Sequence, residues 1–292
     1  MPEIIAIPKS VEFALEDVPT ISPIVAKINE IAGNAQASPR DLVKVVMVDP
    51  VLTAKVIRLV NSSFYNLPNE VKSLAQATVL LGMNTVKNLA IATAVLGVMF
   101  LSKKRSPIDP VEFWRHCLGT AVGSRMLAQL AGIPLREVES YFVAGLLHDL
   151  GKVLFIKAFP EIYSEVVAEA PSLEVSLQFS ELAHFGCSHV EAGAVLAMRW
   201  KLDRNFVDVI RYHHLPTSAR TPQSLTDIVA IAQNVCKRCG VGDSGDTCIE
   251  EYADQMALHY GIQPEQVEQV GRKLPDELDK AAIFLNLAMA AA

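Results

Sequence analysis

Helix-start signals recur along this chain, and they constrain its fold more than any other feature. In Ser38-Pro39-Arg40-Asp41 a serine stands where a cap belongs, a proline fills the first helical position, and an acid follows three residues after the cap. Asp49-Pro50 repeats the device, Ser73-Leu-Ala-Gln76 gives a third start, and Ser188-His-Val-Glu191 fits a capping box. Apolar residues follow at helical spacing: Ile24, Ile28 and Ile31, then Leu42, Val45 and Val46, then Leu52, Val56, Leu59 and Val60. No stretch alternates with the period of a strand. Val45-Val46-Met47-Val48 has strand-like composition, but Asp41 and Lys44 place it on a helix with a polar face. The expected fold class is all-α.

Helices are expected from about Pro23 to Ala32, stopped by Gly33-Asn34, and then from Ser38, Asp49 and Ser73. Later ones are expected over 111–131, from 136 into 148–149, and over 151–158, 162–169, 173–185, 189–200, 204–213 and 225–240, with two or three short helices at the end. The stretch from Ile7-Pro8 to Pro23 reads as a proline-punctuated lead-in. Residues 102–110, polar with two prolines, mark the best boundary. They separate a small N-terminal bundle, residues 1–101, from a second helical domain over 111–245, with a helical extension over 246–292.

The apolar run Leu89 to Leu101 is too short for a membrane span, which needs about 20 residues, and reads as a buried helix. A net charge of −6 argues against a nucleic-acid partner, because such binding relies on a basic face. No basic start followed by an apolar core opens the chain. Five irregularly spaced cysteines point to a reducing cytoplasm. Cys236-Lys-Arg-Cys239 is a single CxxC, and Cys248 adds only a third thiol, one short of a structural zinc set. Trp114 and Trp200 read as packing residues.

The chemistry concentrates around His148-Asp149-Leu150-Gly151-Lys152. An imidazole and a carboxylate on adjacent residues offer a divalent metal two kinds of ligand. Gly151 permits a close backbone approach or a sharp turn. Lys152 lies one turn on, placed to neutralise a phosphate or hold the aspartate. Glu112 and His116 share a helix face at a spacing of four. His189 falls in the first turn of its helix, where the dipole disfavours protonation and keeps the neutral imidazole that a metal requires. His184 reads as structural or surface. His213 and His214 lie at a helix C-terminus, where a protonated histidine is stabilised, and they point about 100° apart. The candidate metal ligands are His116, His148, Asp149, His189, His213 and His214.

These residues and several longer strings resemble the HDOD family, the HD-related output domain relatives of the HD and HD-GYP phosphohydrolases. In the first half the resemblance rests on Asp49-Pro50, Leu52, Lys55 to Phe64, Ser73-Leu74, Gln76-Ala77 and Leu80-Leu81-Gly82. In the second half it rests on Phe113-Trp114-Arg115-His116, Ala144 to Lys152, Glu181, His189 with Glu191-Ala-Gly193, and Ile210-Arg211-Tyr212-His213-His214. The resemblance implies a small helical bundle packed on an HD-like bundle that holds the metal positions, with Lys152 beside them.

Two departures stand out. Gln233, in Ile228-Val-Ala-Ile-Ala-Gln233, occupies the position at which HD hydrolases carry a closing aspartate, and its amide brings no charge. Leu215-Pro-Thr-Ser-Ala-Arg220 replaces the glycine-tyrosine-proline segment of the HD-GYP enzymes, which speaks against their cyclic di-GMP chemistry.

The reading is therefore a bacterial signal-transduction module acting through signalling proteins in trans or a small nucleotide-like ligand. Its HD site is degenerate, with a divalent iron, manganese or zinc ion as the candidate cofactor. The alternative is a metal-dependent phosphohydrolase of a nucleotide or phosphoester, with Lys152 contacting the phosphate. The chain reads as this module and little else, with its partner supplied in trans.

Overall fold

The computed structural model describes residues 5–289 apart from 20, 22, 35, 100–105, 173–174 and 220–222. Among the described residues there are helices and no strand. In chain order they are α1 (Lys9–Asp17), α2 (Pro23–Gly33), α3 (Pro39–Val46), α4 (Pro50–Val60), α5 (Leu74–Leu81), α6 (Met83–Met99), α7 (Pro110–Leu130), α8 (Leu135–Leu147), α9 (Leu150–Ala158), α10 (Pro160–Ser172), α11 (Leu177–Phe185), α12 (His189–Arg199), α13 (Arg204–Tyr212), α14 (Gln223–Arg238), α15 (Tyr252–His259), α16 (Pro264–Ala281) and α17 (Ile283–Met289). A 3₁₀ turn, Pro216–Ser218, follows α13.

The caps sit where the sequence places them. The Asp41 carboxylate accepts from the Ser38 backbone N–H at 3.0 Å. The Asp49 carboxylate accepts from Val51 and Leu52, and the Ser73 hydroxyl from Gln76. Each such cap is worth about 1 kcal/mol.

Three expectations are corrected. Lys9–Asp17 is a helix, not a lead-in: Pro8 and Pro19 flank it, and Val11, Ala14 and Leu15 bury one face, with α1 packed on α9. α11 begins at Leu177, because Ser176 is extended and its hydroxyl accepts from Phe179 N–H, making it the cap. α16 is not short. It runs for 18 residues through Pro275, and Val267, Val270, Leu274, Leu278 and Ala281 give it one continuous buried stripe. The part of the expected boundary over 102–105 and the Leu101 end of the apolar run lie outside the described residues.

α2 to α5 pack around α6, and α7, α8 and α14 pack on one another at the centre of the second half. α6 is the run expected to be buried: Leu89, Ile91, Val95, Leu96 and Met99 are sealed from solvent. Each contributes about 1.5–3 kcal/mol of transfer free energy. α6 packs directly on α8, so apolar contacts run continuously from the first half to the second. Tyr65, after α4, donates its hydroxyl to the buried Glu139 carboxylate on α8. The Arg125 guanidinium lies 4.3 Å above the Phe64 ring. α17 returns to α4, α6 and α7 and seats Phe284 against Phe142 at 4.8 Å and Phe64 at 5.6 Å.

Two backbone approaches set the geometry of the second half. A methyl carbon on Gly145 of α8 would fall 2.8 Å from Ala121 Cα and the Thr120 carbonyl oxygen of α7. One on Gly151 of α9 would fall 1.9 Å from the His189 carbonyl oxygen, and one on Gly193 of α12 would fall 2.8 Å from Gly151 N. Gly151 is thus a helical residue at a crossing and not a turn. Only glycine admits helices this close.

Candidate metal centre

The two crossings bring five segments to one point. α7 supplies His116. α8 ends at His148, and Asp149 separates it from α9 with φ −94° and ψ 19°, outside helical geometry, so the adjacent side chains diverge. One turn into α9 is Lys152. α12 opens with His189 behind the Ser188 and Glu191 capping box. α13 ends at Tyr212 and hands over to His213 and His214.

The potential ligand atoms fall into two groups, each spanning less than 4.8 Å: His116, His148 and Asp149 in one, His189, His213 and His214 in the other. Asp149 lies between them. Its Oδ2 is 3.3 Å from His148 Nε2, while its Oδ1 is 3.5 Å from His189 Nε2 and 3.6 Å from His213 Nε2. All six residues expected as ligands are therefore neighbours. Glu112 joins neither group, and its main-chain carbonyl accepts from Asp243 N–H at 3.0 Å. His184 stands apart, with Nδ1 on the Ser180 carbonyl.

Hydrogen bonds fix the face that each ring presents. His148 Nδ1–H donates to the Gly145 carbonyl at 2.7 Å, and His213 Nδ1–H to the Ile210 carbonyl at 3.0 Å. A carbonyl only accepts, so Nδ1 carries a proton and Nε2 is the nitrogen that faces the centre. His189 Nδ1–H donates to Glu181 and His214 Nδ1–H to Glu250, each at 2.6 Å. The two carboxylates are themselves held by tyrosine hydroxyls, Tyr163 on Glu181 at 2.6 Å and Tyr252 on Glu250 at 3.0 Å.

Burial pushes His116, His189 and His213 well below the ordinary histidine range, so these rings are neutral. His213 is thus not the protonated form that a helix C-terminus favours: it has no access to water and pairs with the helix carbonyls as a neutral donor. Burial opposes the charge on Asp149, but His148 and the Lys152 ammonium outweigh it and hold the carboxyl well below its usual range. Lys152 Nζ contacts Asp149 Oδ2 at 2.9 Å and the Ser244 carbonyl at 3.3 Å, so its cation holds the aspartate. Burial raises Glu181 to about 7, whereas hydrogen bonds, first from His214, overcome burial and bring Glu250 down to about 2.

A non-helical strap from Gly240 to Glu251 covers the centre. A methyl carbon on Gly242, at φ +69°, would lie 2.2 Å from His116 N. Ser244 gives its carbonyl to Lys152, Asp246 pairs with the buried Lys237 at 2.9 Å, and Glu250 meets His214. None of these roles was expected from sequence. Glu181 was noted among the strings of the resemblance, without its role as the partner of His189.

The donor set fits a divalent cation. Nε2 of His116, His148, His189, His213 and His214, and Asp149 Oδ1, are buried with no hydrogen-bond partner, and both amide atoms of Gln233 share that condition. Orphaned buried polar atoms cost about 1–3 kcal/mol each, and here they converge. Ligands held at about 2.0–2.2 Å by one tetrahedral ion stand about 3.3–3.6 Å apart, which is the spacing around Asp149. A divalent cation in this place supplies Lewis acidity and lowers the pKa of bound water. The chain itself holds the imidazoles in one tautomer, keeps Asp149 charged through Lys152, and excludes solvent.

The sequence model of the HDOD domain matches residues 18–216. An uncharacterized protein of Treponema pallidum is 24% identical over 258 residues, which is 88% of this chain and 48% of that protein, so this chain spans about half the length of its curated relative. An HDOD domain protein of unknown function from Geobacter sulfurreducens superposes with a TM-score of 0.73 at 25% identity, over 94% of this chain and 97% of the other. A candidate phosphohydrolase from Shewanella amazonensis superposes with a TM-score of 0.70 at 24% identity, over 94% and 98%. With the family pattern matched over most of its length and the histidine and aspartate positions gathered at one centre, this chain belongs to the HDOD family.

Proposed function

We propose that the chain is a bacterial signal-transduction module that binds a protein partner in trans or a small nucleotide-like ligand, and that it uses a metal-holding HD centre for architecture and not for turnover. The observation that carries this reading is burial. His148, Asp149, Lys152, His189 and His213 are each 0% exposed, and the strap lies over them. A phosphoester substrate needs an open coordination position and a path to it, whereas a closed ligand set is the mark of a structural site. Gln233 in place of a carboxylate points the same way, since it adds no charge to steady a second cation. The acidic net charge disfavours nucleic acid as the partner. No helix among the described residues is long and apolar enough to cross a membrane.

The test combines elemental analysis for iron, manganese and zinc with a turnover assay over cyclic dinucleotides, nucleoside triphosphates and phosphomonoesters. Bound metal without turnover supports the module. Metal-dependent hydrolysis that disappears in H148A overturns it in favour of the phosphohydrolase reading. That second reading draws on Asp149, whose two oxygens face the two histidine groups as a bridging ligand would, and on the likeness to the Shewanella protein.

A further inference from the structure

The group formed by His189, His213 and His214 contains three imidazole donors and no carboxylate of its own. Two of the three rings are backed by glutamates. Glu181 reaches His189 from the helix just before it, eight residues away. Glu250 reaches His214 from the strap, 36 residues later in the chain. Each atom of Glu250 is assigned. Oε1 takes the His214 Nδ1–H at 2.6 Å. Oε2 takes the Asn234 amide at 2.8 Å and the Tyr252 hydroxyl at 3.0 Å. Its backbone N–H donates to Asn234 Oδ1 at 2.8 Å. Asn234 thus grips Glu250 at both ends, next to the uncharged Gln233. A carboxylate fixed so firmly on the far nitrogen of an imidazole orients the ring and strengthens it as a ligand.

We propose that Glu250 is a positioning residue of the metal centre: it holds His214 with Nε2 directed inward and supplies, one layer out, negative charge that Gln233 does not bring. The proposal rests on the reading that the centre holds a metal. It also gives the strap a purpose, because displacing residues 240–251 withdraws Glu250 from His214.

The experiment measures metal affinity by chelator competition in the full chain, for wild type, E250Q, E250A, H214A and the double variant H214A/E250Q. Imidazole nitrogen NMR shifts of the metal-free proteins report the His214 tautomer. E250Q keeps the acceptor and loses the charge, and E250A loses both. Second-layer substitutions of this kind weaken metal binding by about 10–100-fold, so E250Q is expected near the lower end and E250A near the upper. E250Q is expected to have no further effect in the H214A background, because Glu250 acts through that ring. E250A is also expected to move the His214 proton from Nδ1 toward Nε2. Affinity of E250Q within twofold of wild type overturns the proposal, as does a full additive loss in the double variant. If wild type binds no metal, the metal reading fails by itself. The tautomer then decides on Glu250, and an unchanged His214 proton in E250A overturns its role.

Discussion

Gly151 on α9 lies so close to the carbonyl of His189 on α12 that a methyl group between them would sit 1.9 Å from that oxygen. The obstruction is backbone on both sides, so no rotamer change relieves it. Overpacking of this kind costs about 1–3 kcal/mol, and a metal centre tolerates only about 0.5 Å of ligand displacement. G151A is therefore expected to lower denaturant stability and to abolish metal retention. Gly97, on α6 with nothing within 4 Å of its added methyl, is the control. G97A is expected to be neutral or stabilising by up to about 1 kcal/mol. Equal stability of G151A and wild type would falsify the crossing argument.

Lys152 offers a second prediction. Its ammonium is the only lysine or arginine charge bonded directly to Asp149 among the described residues, and both groups are fully buried. K152M keeps much of the volume and strands the carboxylate. Removing one partner of a buried ion pair costs about 3–5 kcal/mol. Equilibrium unfolding of the metal-free protein is expected to register a loss of that size. Restoration toward wild type when metal is added would show that a cation at the ligand atoms replaces the missing ammonium.

The metal-free protein is expected to lose stability in mild acid. His116, His189 and His213 are held neutral by burial, each well below 6.5, while the unfolded chain takes up protons near that value. Their contribution is whole above pH 6.5 and drains away as the pH falls. Glu181, raised to about 7 by burial, and Glu139, also raised by burial, run the other way and favour the fold as acid is added. Once the unfolded histidines are fully protonated three groups oppose two, and the net difference of one proton is a loss of about 1.4 kcal/mol per pH unit. Calorimetry of chelator-treated protein is expected to show Tm falling by several degrees between about pH 7 and about pH 5. A flat or rising Tm would count against neutral histidines in the core.

The parts of this molecule that were legible in sequence are those governed by neighbours along the chain. Ser38, Asp49, Ser73 and Ser188 act within three residues of themselves, and their caps are present as read. The histidines and Asp149 were legible because residue type alone marks them as ligands. Glu250 and Ser244 were not. A glutamate that serves a histidine 36 residues away leaves no periodic trace and looks like any surface acid. α1 was hidden for a related reason: its prolines lie outside the helix, at positions that also end lead-in segments, and its three buried residues find their partner on α9.

The ring of Phe284 has a consequence for how the protein is made. It closes an aromatic cluster with Phe64 and Phe142, and about 220 residues separate it from Phe64. During vectorial synthesis the first bundle leaves the ribosome with that flank uncovered, and at about 5–20 residues per second the cover arrives on the order of ten seconds or more later. The nascent chain thus carries an exposed Phe64 surface until α17 is made, a period when chaperone capture competes with folding. The helix that ends that exposure is α17, which carries Phe284.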